Sequence, residues 1–103
     1  MRAIQVLDFG GPEVLRMSDV PVPTPNPSQV LVRVKAAGLN PVDALCRSGQ
    51  ASWVSTPFIP GFDAAGIIVK ADAAGRWKEG NRVYLSQVSG SYAEYLCCEA
   101  DAP

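Results

Sequence analysis

Histidine is absent from the 103 residues, cysteine occurs only three times, and the formal net charge is -1. Each scarcity removes a class of function. Cys46, Cys97 and Cys98 show no CxxC spacing and have no histidine to join, so the common zinc-ligand patterns are missing. An odd set of cysteines also argues against a disulfide framework. A nearly balanced charge gives no electrostatic attraction to nucleic acid or to an anionic membrane, and neither is expected as a partner. No apolar run approaches the ~20 residues that a membrane helix needs, and Met1-Arg2-Ala3-Ile4-Gln5 lacks the hydrophobic stretch of a signal peptide. The expectation is a soluble, cytoplasmic protein.

What is present is a composition of 48% hydrophobic and 18% charged residues with nine glycines and nine prolines, which suits a turn-rich β domain better than a helical bundle or a disordered tail. A chain of this length has room for one domain, 1–103, burying roughly 60 to 70% of the surface that its unfolded form exposes.

Strands are expected over Arg2–Phe9 and Val14–Val20, forming a hairpin across Gly10-Gly11-Pro12. Pro21, Pro23, Pro25 and Pro27 remove backbone donors at every second position and mark an extended surface connector. Val30, Val32 and Val34 then share one strand face while Leu31, Arg33 and Lys35 share the other. Ala36-Ala37-Gly38 lets the backbone pass close to a neighbour. Asn40-Pro41-Val42-Asp43 reads as a helix start, with Asn as cap, Pro at the first position and an acid at the third, and the helix ends by Ser48-Gly49. Residues 50–57 read as a loop whose Trp53 is either a lid or a surface anchor. Three further strands are expected over Phe62–Val69, Arg82–Gln87 and Tyr92–Cys98, with a loop over Ala71–Asn81. The sum is a mainly β, partly open barrel with one short helix. Nothing closes the chain at Asp101-Ala102-Pro103, which suggests truncation.

Several phrases fall into one family order: Gly11-Pro12-Glu13-Val14-Leu15; Val30 to Asp43; Ile59-Pro60-Gly61-Phe62-Asp63-Ala64-Ala65-Gly66; Trp77-Lys78-Glu79-Gly80-Asn81-Arg82-Val83; and Gly90-Ser91-Tyr92-Ala93-Glu94-Tyr95. Together they resemble the amino-terminal GroES-like domain of the medium-chain dehydrogenase/reductase superfamily, in its quinone oxidoreductase (zeta-crystallin-like) branch. The resemblance implies a GroES-like barrel lacking its Rossmann domain. In the full enzyme, that domain would complete a cleft in which NADPH or NADH passes hydride to a quinone or an α,β-unsaturated carbonyl. It also implies a homodimer at full length and inactivity of the fragment alone.

Zinc-dependent members of the superfamily carry Cys and His where this chain has Asn40 and Phe62, and a phenyl ring cannot coordinate a metal, so no zinc is expected. By resemblance, Asn40 faces the nicotinamide end of the cofactor and is the candidate catalytic and cofactor-binding residue. Its amide can donate and accept hydrogen bonds, although it could serve only as a helix cap. Phe62 is a candidate wall of the substrate pocket or plain core. Asp63 is expected beside the site in a hydrogen-bonding role rather than as an acid or base. Leu45 occupies a substrate-pocket position where the family often has Tyr. Tyr92 and Tyr95 are read as packing on opposite faces of the last strand, and the cysteines as small hydrophobes. Two alternatives stand beside this reading: a zinc-type alcohol dehydrogenase relative using other ligands, and a non-enzymatic GroES-like assembly module.

Overall fold

The valine alternation forms the middle of the computed structural model, which describes every residue from Met1 to Pro103. Strand β3, Gln29–Ala37, follows hairpin strands β1 (Arg2–Gln5) and β2 (Arg16–Asp19) and precedes helix α1 (Pro41–Ser48). Strands β4 (Ala64–Lys70), β5 (Arg82–Leu85) and β6 (Tyr95–Glu99) complete the set. β3 is flanked by two antiparallel partners, with Val34 opposite Gly66 of β4 and Val32 opposite Leu96 of β6. The larger sheet runs β5-β4-β3-β6, and β1-β2 forms a separate pair. The two sheets do not close on each other, as expected for a partly open barrel.

Val30 and Val32 are fully buried while Arg33 and Lys35 are exposed, so the period-2 pattern sorts the faces. They join Ile68, Val83, Leu85, Val88 and Leu96 in one core cluster. Each such side chain contributes about 1.5–3 kcal/mol by leaving water. Gly66 is what lets β4 lie against β3: a Cβ there would run into the main-chain oxygen of Arg33 and approach Val32 Cγ1 to 2.9 Å.

Several strands are shorter than the sequence suggests, and at several of these ends the backbone bonds go elsewhere. β1 stops at Gln5 rather than Phe9 because Val6 exchanges both backbone bonds with Phe58, at 2.9 and 3.1 Å. Before β2 the chain makes a 3-10 turn over Pro12–Val14, so the return strand begins at Arg16 and not Val14. β4 starts at Ala64 rather than Phe62, β5 ends at Leu85 rather than Gln87, and β6 starts at Tyr95 rather than Tyr92. There the Pro60–Phe62 turn instead accepts from Val88, Gly90 and Tyr92 N–H groups at 3.0–3.1 Å.

The proline connector carries no strand, and residues 71–81 carry none either. The latter segment is nevertheless tied down. Asp72 accepts from the N–H groups of Arg76 (3.2 Å) and Trp77 (3.1 Å), and the Trp77 indole donates to the Ala100 carbonyl at 2.6 Å. No helix is long and apolar enough to cross a membrane.

Candidate functional site

Where β3 ends, the Gly38 N–H donates to the Asp63 carbonyl at 3.0 Å, so the neighbour that the small-residue run admits is the turn before β4. This crossing sets Asn40 beside Asp63. Asn40 caps α1 with extended backbone (φ -129, ψ 152), and Pro41 starts the helix. The side-chain amide turns away from the cap: Asn40 Nδ2 donates to Asp63 Oδ2 at 2.7 Å, a short charge-assisted bond. Asn40 is therefore used twice, its backbone at the cap and its side chain towards Asp63.

Beneath them, Asp43 is buried and hydrogen-bonded on both oxygens. Its Oδ2 accepts the Asn40 N–H at 2.9 Å and the Tyr92 hydroxyl at 2.9 Å, and its Oδ1 accepts the Gly61 N–H at 3.2 Å. One carboxylate thus joins the helix start, the Pro60-Gly61 turn and the approach to β6. Burial first, then the hydrogen bond to Asp43 and its charge, push the Tyr92 phenol up to about 12. Gly61 has φ +106, and a Cβ there would collide with Ser91 Oγ, so this turn admits no side chain.

Asn40, Phe62, Asp63, Gln87, Val88 and Ser89, with the first turn of α1, surround an open cavity of about 490 Å³. Three of the four expected site residues, Asn40, Phe62 and Asp63, converge here. Leu45 does not: it is not among the residues lining this cavity, and its side chain is 44% exposed on α1. The helix turns about 100° per residue, so a position five beyond the cap need not share the cap's outlook.

Phe62 and Ser89 also border a smaller hollow of about 250 Å³ whose other walls include Cys46, Trp53, Phe58 and Ile59. Trp53 sits at its edge with 68% of its surface exposed, which is not how an anchored side chain lies. A third hollow, of about 530 Å³ between the proline connector and Tyr95, offers nothing like the Asn40–Asp63 pair.

Two features escaped the sequence reading. Tyr92 lies outside β6 and works through its hydroxyl rather than as packing alone. Gln87 lines the cavity with φ +58, in the left-handed region. The capping pattern signals that Asp43 meets Asn40, but nothing local signals Gly61 or Tyr92. The cysteines behave as small hydrophobes: burial raises the Cys46 and Cys97 thiols and takes Cys98 to about 11. No three Cys, Asp or Glu side chains gather as a metal site would need.

The sequence matches the alcohol dehydrogenase GroES-like domain over residues 26–102. The chain belongs to that family. Its similarity to quinone oxidoreductases of the medium-chain dehydrogenase/reductase superfamily is close. It is 50% identical over 99 residues to the quinone oxidoreductase of Homo sapiens, covering 92% of this chain and 30% of that protein. It is 39% identical over 112 residues to a chloroplastic NADPH-dependent alkenal/one oxidoreductase of Arabidopsis thaliana, covering 96% of this chain and 29% of that one. The structure of the Escherichia coli quinone oxidoreductase complexed with NADPH superposes with a TM-score of 0.93 at 33% identity, covering 99% of this GroES-like domain and 32% of that protein. The domain thus spans about 30% of the length of the relatives it matches.

Proposed function

We propose that this GroES-like domain is the substrate side of a zinc-independent oxidoreductase that passes hydride from NADPH or NADH to quinones or α,β-unsaturated carbonyls. The observation that carries the reading is the Asn40 carboxamide held 2.7 Å from Asp63 in the wall of an open cavity that Phe62 also lines.

The cavity suits one end of the cofactor only. Its lining contains no Arg or Lys and no glycine-rich helix start, so the pyrophosphate is left to a Rossmann domain elsewhere in the polypeptide. The nicotinamide end meets Asn40, whose second amide proton remains available after the bond to Asp63. When bound, the reduced nicotinamide supplies the hydride.

The remaining work belongs to this domain's side chains. Asp63 fixes the plane of the Asn40 amide. Phe62 offers a flat apolar wall to a planar acceptor. Such an acceptor is already electrophilic, so holding it at near-attack distance and hydrogen-bonding its oxygen is most of the catalysis, and a Lewis-acid metal is dispensable. The domain's relatives include enzymes named for quinones and for alkenals and alkenones, which supports this substrate class. The full-length protein is proposed to be a cytoplasmic homodimer and the isolated domain to be inactive.

The test is NADPH oxidation by the full-length protein against a panel of quinones and enones, with and without a zinc chelator. Turnover unaffected by the chelator is expected, and none from residues 1–103 alone. Chelator-sensitive turnover with stoichiometric zinc overturns the metal-free reading, and no turnover with any acceptor overturns the reaction class.

A further inference from the structure

Gln87 is the only residue other than glycine with positive φ, at +58. A side chain in this region normally costs stability that glycine or asparagine would spare, and such positions concentrate at functional sites. Its neighbours enforce the twist. Leu85 and Val88 are both buried, and the Val88 N–H donates to the Phe62 carbonyl at 3.1 Å, with the chain bending at Ser86 and Gln87 between them. Glycine would make that bend without strain, yet the position holds a long carboxamide side chain.

Gln87 is exposed, its side chain makes no hydrogen bond to any protein group, and the residue lines the cavity with Asn40 and Asp63. The cavity otherwise has few donors to give. One proton of the Asn40 amide is committed to Asp63, and Asp63 is an acceptor when ionised. The second Asn40 proton is assigned to the nicotinamide in the proposed function, which leaves Ser89, on a much shorter side chain, as the other uncommitted side-chain donor. A carbonyl whose oxygen gains negative charge as hydride adds to its carbon, or to the carbon conjugated with it, needs a hydrogen-bond donor aimed at that oxygen.

We infer that Gln87 is a substrate-orienting residue whose Nε2 donates to the carbonyl oxygen of the quinone or enone. The inference rests on the proposed function and adds to it the group that fixes the acceptor's orientation.

The test is steady-state kinetics and thermal melting of the full-length enzyme with Gln87→Gly, Gln87→Asn, Gln87→Glu and Ser89→Ala. Gln87→Gly is expected to keep or raise Tm by about 1 to 3 °C, since it relieves strain, while raising the quinone KM about tenfold and leaving the NADPH KM within about twofold. Gln87→Asn tolerates the backbone and keeps a shorter carboxamide, so it recovers part of the loss. Gln87→Glu places an anion against the developing oxyanion and lowers kcat/KM about a hundredfold.

Unchanged kinetics in Gln87→Gly overturn the inference. So does a lowered Tm that accounts for the loss, a rise confined to the NADPH KM, or a loss found in Ser89→Ala instead. In all of these the wild-type enzyme still reduces quinones. A wild type inactive on every acceptor overturns the function itself and the inference with it.

Discussion

Asp43 shows how much one side chain can organise when both its oxygens are used. Replacing it with alanine leaves the Gly61 and Asn40 N–H groups and the Tyr92 hydroxyl without their partner. Loss of a buried acceptor of this kind costs about 3 kcal/mol, to be read from urea denaturation, with Tyr92→Phe costing about 1 kcal/mol. Tyr92 also sets a pH dependence. Its folded value of about 12 lies above the ordinary 10.0, so its contribution is fully present below pH 10 and is lost as pH rises from there towards 12. Urea midpoints measured across that window should fall more steeply for the wild type than for Tyr92→Phe. Cys98, near 11 against an ordinary 9.0, has about a hundredfold less thiolate at neutral pH than a free cysteine, and iodoacetamide labelling should be at least that much slower. At this scale the sequence was a partial guide. Asn40, Phe62 and Asp63 could be named from motif order, and Asp43 from its place three residues after a cap. Tyr92 and Gln87 could not, because what marks them is a contact 49 residues away in one case and a backbone angle in the other.

Strands and helix were the most legible elements, and their ends the least. The alternation Val30, Val32, Val34 identified β3 because one face is buried and the other carries Arg33 and Lys35. Asn40, Pro41 and Gly49 bounded α1 because capping is local chemistry. Val6, Phe62, Asp63, Tyr92 and Glu94 looked equally extended but were claimed by partners outside the named strand ladders, which no window of sequence reveals. The tightest element contact yields its own prediction. Gly66→Ala drives a methyl group into the Arg33 carbonyl across the β3–β4 ladder, with main chain on one side and Val32 on the other, so neither neighbour can yield cheaply. A loss of about 3 kcal/mol or more is expected in denaturant titration, with weaker protection of the Val34 and Ile68 amides in hydrogen exchange.

For the whole molecule, the order β5-β4-β3-β6 has a consequence for how the chain comes into being. The central strand is made early, but its partner on one side is made long after it: Gln29 pairs with Glu99 and Val32 with Leu96. Between their syntheses, β3 has one flank with unpaired amides and carbonyls and a row of valines, the kind of edge that invites pairing with other chains. Because the contact is so distant along the chain, loop closure must precede its reward, and folding is expected to be slow for a domain this small. A nascent chain halted before Tyr95 should associate with its neighbours, whereas one that has released Glu99 from the ribosome can cover its own edge. Pairing of the five-residue strand β6 is thus the step that covers the exposed flank of β3.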